Sequence, residues 1–155
     1  MVLETYGNIF DSIKDGYIPA IPVNAVGVMG AGLAKQFAKT FPQFFPMYRD
    51  AIKNRWLTAD TPCMLSDNAE NLSFIMFPTK YHWKNKSHIE TINTALDRMK
   101  GIFQNYNNGY PVKVSLPPLG CGLGGLAYKD VRKLIIDKYA LDRNFLIKLY
   151  KPKNK

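Results

Sequence analysis

Val23-Asn24-Ala25-Val26-Gly27-Val28-Met29-Gly30-Ala31-Gly32-Leu33-Ala34 changes its periodicity half-way along. Upstream, residues 17–24 form an apolar run of strand length in which Pro19 and Pro22 restrict where the strand can pair. Downstream, Leu33, Ala34, Phe37, Ala38 and Phe41 recur at helical spacing until Pro42 stops the pattern. Between the two lie Gly27, Gly30 and Gly32. Glycine lets a backbone approach a ligand closely, and a helix N-terminus offers unpaired N–H groups to an anion.

A second segment repeats the construction: Pro117-Pro118-Leu119-Gly120-Cys121-Gly122-Leu123-Gly124-Gly125-Leu126 lies between an apolar run at 112–116 and a helical pattern at 131–139. Two such loops at neighbouring strand ends suit the two phosphates of a diphosphate. The plain alternative, tight strand–helix turns, accounts for one loop more readily than for two. Gly120-x-Gly122-x-x-Gly125 formally fits the dinucleotide fingerprint. It comes too late, because a Rossmann domain opens with that motif and needs several βαβ units after it. The first loop has Lys35 where the third glycine would stand, and the chain contains no P-loop motif.

Outward from the loops, strand and helix patterns alternate. Residues 2–6, 72–77, 112–116 and 145–150 read as strands, and 44–52 as a short helix. Ser87-His88-Ile89-Glu90 has the form of a capping box for a helix carrying Ile89, Ile92, Leu96, Met99 and Phe103 on one face. Alternation of this kind predicts an α/β fold, a three-layer α/β/α sandwich on a mixed central sheet. The 155 residues suit a single domain over 1–150 followed by a basic tail at 151–155. At 46% hydrophobic, the chain can fill a core. Cys63 and Cys121 cannot form a disulfide framework or a four-ligand zinc site. No apolar run approaches the ~18 residues of a membrane span, and no signal peptide follows Met1. The expectation is a cytoplasmic monomer with no membrane association and no bound metal.

Charge is lopsided. Residues 1–78 hold 6 basic and 7 acidic side chains, and residues 79–155 hold 15 and 5. Such a field attracts nucleotides or nucleic acid, although the lysines of the last five residues also serve solubility.

In this arrangement, residues 24–34, 77–80 and 117–126 resemble the macrodomains, the ADP-ribose-binding fold, with Tyr6-Gly7-Asn8-Ile9 matching the family's opening Gly-Asp-Ile element except for Asn8. The resemblance spans nearly the whole chain. It is strongest to the branch holding the terminal ADP-ribose glycohydrolase and the antitoxin macrodomains that remove ADP-ribose from DNA, through residues 23–34 and Phe77-Pro78-Thr79-Lys80-Tyr81-His82-Trp83-Lys84. It implies that no cofactor is needed and that ADP-ribose is the ligand or product. Asn8 and Ile9 would meet the adenine, flanked by Tyr150, although an aromatic there is more often core. Asn24 would bond the distal ribose. Met29, Gly30, Ala31, Gly32 and Leu33 would line the cleft from one side. Pro118, Leu119, Gly120, Cys121, Gly122, Leu123 and Gly124 would wrap the phosphates from the other, with Thr79 beside them.

The resemblance also gives Lys80 the role of nucleophile at the anomeric carbon of the distal ribose. That chemistry needs the neutral amine, which like-charged Lys84 and Lys86 or burial in a cleft would favour. By residue type alone, a solvated basic loop is the commoner explanation; the flanking Phe-Pro-Thr-Lys match reverses that preference. The glycohydrolase of the branch carries an acidic residue where Gly124 stands, whereas the antitoxin members carry glycine, so the general acid or base is unassigned. Cys121 reads as a small buried residue, and His82 and His88 lack companions for a metal site. His82, Trp83, Lys84 and Lys86 form a basic–aromatic surface suited to single-stranded DNA. Three functions follow: an ADP-ribosyl hydrolase, an ADP-ribose-1″-phosphate phosphatase, and a reader that binds ADP-ribose without turnover.

Overall fold

Period-2 and period-3.6 patterns alternate along the chain, and the computed structural model, which describes residues 1–104, 106 and 109–153, sets them as strands and helices in that order. Strands β1 (Val2–Thr5), β2 (Ile18–Asn24), β3 (Cys63–Asp67), β4 (Leu72–Lys80), β5 (Val112–Leu116) and β6 (Phe145–Tyr150) form one sheet in the order β1-β6-β5-β2-β4-β3. Neighbours are parallel except β3 and β4, which make the sheet mixed. Helices α1 (Gly32–Thr40) and α2 (Phe44–Lys53), with a 3-10 segment at Ile9–Asp15, cover one face. Helices α3 (Ile89–Ile102) and α4 (Tyr128–Tyr139) cover the other. This is the three-layer sandwich that the alternation predicts.

A strand buried on both faces divides its side chains between two cores, and β4 does so: Phe74 and Met76 join the α1/α2 core, Ile75 and Phe77 the α3/α4 core. The first core is aromatic, with Phe37 and Phe74 rings 4.7 Å apart and Phe44 edge-on to Phe74 at 5.0 Å. Full burial of such a ring contributes about 1.5–3 kcal/mol. Pro19 and Pro22 do not push β2 to the edge. Instead β2 divides its pairing, meeting β5 only at Ile18 and Pro19 and β4 from Ala20 to Asn24.

Three expectations change. β3 and the Ile9–Asp15 segment were not legible as elements; β3 is an edge strand whose only buried residue is Leu65, so it has no clear alternation. β4 runs on through Pro78 to Lys80 rather than ending at 77, and α4 starts at Tyr128 rather than 131. Ser87 does not cap α3. His88 is the N-cap residue and gives no side-chain bond, while the Ser87 side chain is buried against Gly120 and Gly124 of the second loop. Among the described residues no helix is long and apolar enough to cross a membrane.

Candidate active site

Parallel strands send their C-terminal ends to one edge of the sheet, and every loop singled out in the sequence leaves from that edge. After β2, the Asn24 side chain, 6% exposed, folds the chain back on itself. Its Oδ1 accepts from the N–H groups of Val26 and Gly27 (both 3.1 Å) and Val28 (3.3 Å), and its Nδ2 donates to the Val28 carbonyl at 2.7 Å. Tyr48, buried on α2, donates its hydroxyl to the Asn24 carbonyl at 2.7 Å and contacts Oδ1 at 3.0 Å. Burial pushes the Tyr48 phenol up to about 12, so it stays a donor. Asn24, placed at the ribose by resemblance, is thus largely occupied in shaping the loop, with one amide proton left over. Tyr48 was missed, although Phe44, Tyr48 and Ala51 at i, i+4 and i+7 put a polar tip on a buried helix face. Met29 is buried, Gly30, Ala31 and Gly32 are exposed, and Leu33 is half-buried at the start of α1. Gly32 takes φ +56°, a conformation that favours glycine, and faces open space.

The second loop closes through Cys121 N–H to Pro118 O (3.1 Å), Gly125 N–H to Gly122 O (3.1 Å) and Leu126 N–H to Gly120 O (2.9 Å). The N–H groups of Gly122, Leu123 and Gly124 have no partner among the described residues, a run of free donors of the kind that cradles anions. Gly122 opens onto free space, whereas a Cβ at Gly124 would collide with Ser87 Oγ and stand 2.6 Å from Gly120 O. The loop therefore admits no side chain at 124. Leu119 is fully buried in the α3/α4 core and can offer a ligand only its backbone; Pro118 is half-buried. Burial pushes the Cys121 thiol up to about 11, keeping it protonated.

Lys80 closes β4 opposite Asn24 of β2, where the pairing register shifts. It is half-buried, and its ammonium has no hydrogen bond or ion pair with any described residue. Thr79 beside it is 5% exposed. The segment that follows spans the two loops: Tyr81 O accepts from Ala25 N at 2.8 Å, and Ser87 N–H donates to Gly124 O at 3.0 Å. His82 and Trp83 stack at 5.3 Å and 27°, and Lys84 Nζ lies 5.1 Å from the Trp83 ring centre. Lys86 turns its ammonium to the Leu123 carbonyl at 3.2 Å. At the far end, Asn8 Oδ1 already accepts from Phe10 N–H at 3.0 Å, capping the 3-10 segment. Ile9 is buried, and Tyr150 is 7% exposed with its ring edge 4.0 Å from a Cβ position on Gly7.

The strand-end edge thus brings together two glycine loops, the second with free amides, and a lysine that has no ion pair among the described residues. The Macro domain family model matches residues 21–135. The chain belongs to the Macro domain family. It is 34% identical over 152 residues to the DNA ADP-ribosyl transferase–DNA ADP-ribosyl glycohydrolase fusion protein of Thermosipho africanus, covering 87% of this chain and 38% of that protein. The solved macrodomain of Mycobacterium tuberculosis DarG superposes with a TM-score of 0.87 at 28% identity, over 99% of both chains. The structure of Thermosipho africanus DarTG in complex with ADP-ribose matches at a TM-score of 0.79 and 32% identity, over 99% of this chain and 43% of that one. The chain spans 33–40% of the length of the curated relatives it matches.

Proposed function

We propose that this macrodomain is an ADP-ribosyl glycohydrolase that releases ADP-ribose from DNA through Lys80. The observation that carries the reading is Lys80 itself, half-buried at the rim between two glycine loops with no ion pair among the described residues. The relatives named as DNA ADP-ribosyl glycohydrolases and the relative solved with ADP-ribose support it. In this reading the first loop, shaped by Asn24 and Tyr48, faces the distal ribose. The free amides of Gly122, Leu123 and Gly124 hold the diphosphate, and the Asn8–Ile9 end with Tyr150 holds the adenine.

The neutral Lys80 amine attacks the anomeric carbon, and the bond to the acceptor breaks with its electron pair. The acceptor takes up one proton, balanced by the proton the amine gives up. Water then adds to the lysyl adduct, returning free lysine and ADP-ribose. His82, Trp83 and Lys84 would meet the nucleotide flanking the modified one, by stacking and by phosphate contact.

Incubation with ADP-ribosylated single-stranded DNA, ADP-ribosylated protein and ADP-ribose-1″-phosphate, with product identification, tests the assignment. Release of ADP-ribose from DNA is the expected result. Release of inorganic phosphate alone would make the protein a phosphatase, and turnover of none would make it a reader.

A further inference from the structure

Lys86 and Ser87 hold two consecutive carbonyls of the second glycine loop. Lys86 Nζ donates to Leu123 O at 3.2 Å, and Ser87 N–H donates to Gly124 O at 3.0 Å. The Lys86 stem also lies against Gly125, its Cδ 3.5 Å from the Cβ position there. In a trans peptide, N–H and C=O point in opposite directions. The Gly122 carbonyl is taken by Gly125 N–H and the Leu123 carbonyl by Lys86, so the N–H groups of Leu123 and Gly124 are turned the other way, where neither finds a partner among the described residues. Ser87 fills the inside of the same loop. Its hydroxyl is buried without a hydrogen-bond partner among the described residues, and it contacts the Cβ positions of both Gly120 and Gly124. A buried, unpaired hydroxyl costs stability, so the close fit against the loop is bought at a loss.

We propose that Lys86, working with the Ser87 backbone, is a positioning residue for the diphosphate: it aims the loop amides at the anion and adds its own positive charge behind them. This rests on the ADP-ribose reading above and takes Lys86 away from the nucleic-acid surface. Because residues 81–87 are also fastened to the first loop through Tyr81 and Ala25, the same clamp ties diphosphate binding to the strand end that carries Lys80.

The test is calorimetric titration of free ADP-ribose into the wild type, Lys86→Met and Lys86→Arg, with KM and kcat on DNA-linked and protein-linked ADP-ribose alongside. Lys86 is exposed, so both variants fold. The inference expects Lys86→Met to weaken free ADP-ribose about tenfold, equivalent to ~1.4 kcal/mol. It expects KM to rise by a similar factor on both substrates with kcat within about twofold, and Lys86→Arg, which keeps a donor, to recover most of the affinity. Wild-type affinity for free ADP-ribose in Lys86→Met, with a KM increase confined to the DNA substrate, would overturn the inference and return Lys86 to nucleic-acid contact. Failure of the wild type itself to bind ADP-ribose would instead bring down the functional reading on which the inference rests.

Discussion

Gly122 is the residue at which the proposed diphosphate site can be blocked with least disturbance. Nothing stands within 4 Å of the position a Cβ would take there, so Gly122→Glu fits without disturbing the fold while placing a carboxylate among the loop amides. Unchanged thermal stability with loss of ADP-ribose binding by calorimetry is the expected pair of results. Tyr48 acts from behind the first loop. Tyr48→Phe deletes the hydroxyl that reaches the Asn24 carbonyl at 2.7 Å, leaving a buried acceptor unpaired, and should lower stability by about 1–3 kcal/mol in urea denaturation. Lys80 is singled out in the sequence by the match Phe77-Pro78-Thr79-Lys80 that ends on it. The occupation of Asn24 was not, because its partners Val26, Gly27, Val28 and Tyr48 are fixed by three-dimensional geometry and have no signature in spacing.

At the scale of elements, even short segments with a clear apolar pattern, such as β5 and α2, were legible, whereas β3 and the Ile9–Asp15 segment were not. α3 presents Ile92, Leu96 and Met99 at helical spacing, all fully buried, and was read on its face. β3 buries one residue in five, and no periodicity survives that. The capping box failed because Ser87 answers to a loop that lies far from it in sequence. One edge of the sheet is held by an ion pair: Arg132 on α4 donates from Nε and Nη2 to the Glu4 carboxylate of β1 at 2.7 and 3.0 Å, and Tyr128 adds a bond at 3.2 Å. The Arg132 hydrogen bond, opposed by partial burial, holds the Glu4 carboxyl below its ordinary value. A carboxyl depressed in the folded state stabilises above its unfolded pKa of about 4.3, and that contribution fades as pH falls through the folded value. Glu4→Gln should therefore be less stable than wild type at pH 7, with the gap closing below about pH 4 and narrowing in high salt, as denaturation curves across pH would reveal.

Across the whole molecule, several cations of the C-terminal half are held by carboxylates of the same half, which leaves its basic excess in place. Lys100 with Asp142 (2.9 Å), Lys133 with Asp137 (2.7 Å) and Lys138 with Asp97 (2.7 Å) lie on or beside the α3/α4 layer. At the strand-end edge, Lys80 and Lys84 have no ion pair among the described residues, which leaves two cations where the proposed DNA substrate would lie. Each phosphate contact to a single strand contributes a slope of roughly −0.7 in log affinity against log salt. Lys84→Glu should raise KM for ADP-ribosylated single-stranded DNA and flatten its salt dependence, and kinetics at two or more salt concentrations measure both. The central claim is that Lys80 does the chemistry rather than the binding. Its most direct test is Lys80→Ala, assayed for ADP-ribose release from modified single-stranded DNA and titrated with free ADP-ribose. Turnover should collapse while affinity stays within about tenfold, or ~1.4 kcal/mol; a Lys80→Ala protein that cleaves DNA-linked ADP-ribose at the wild-type rate would contradict it.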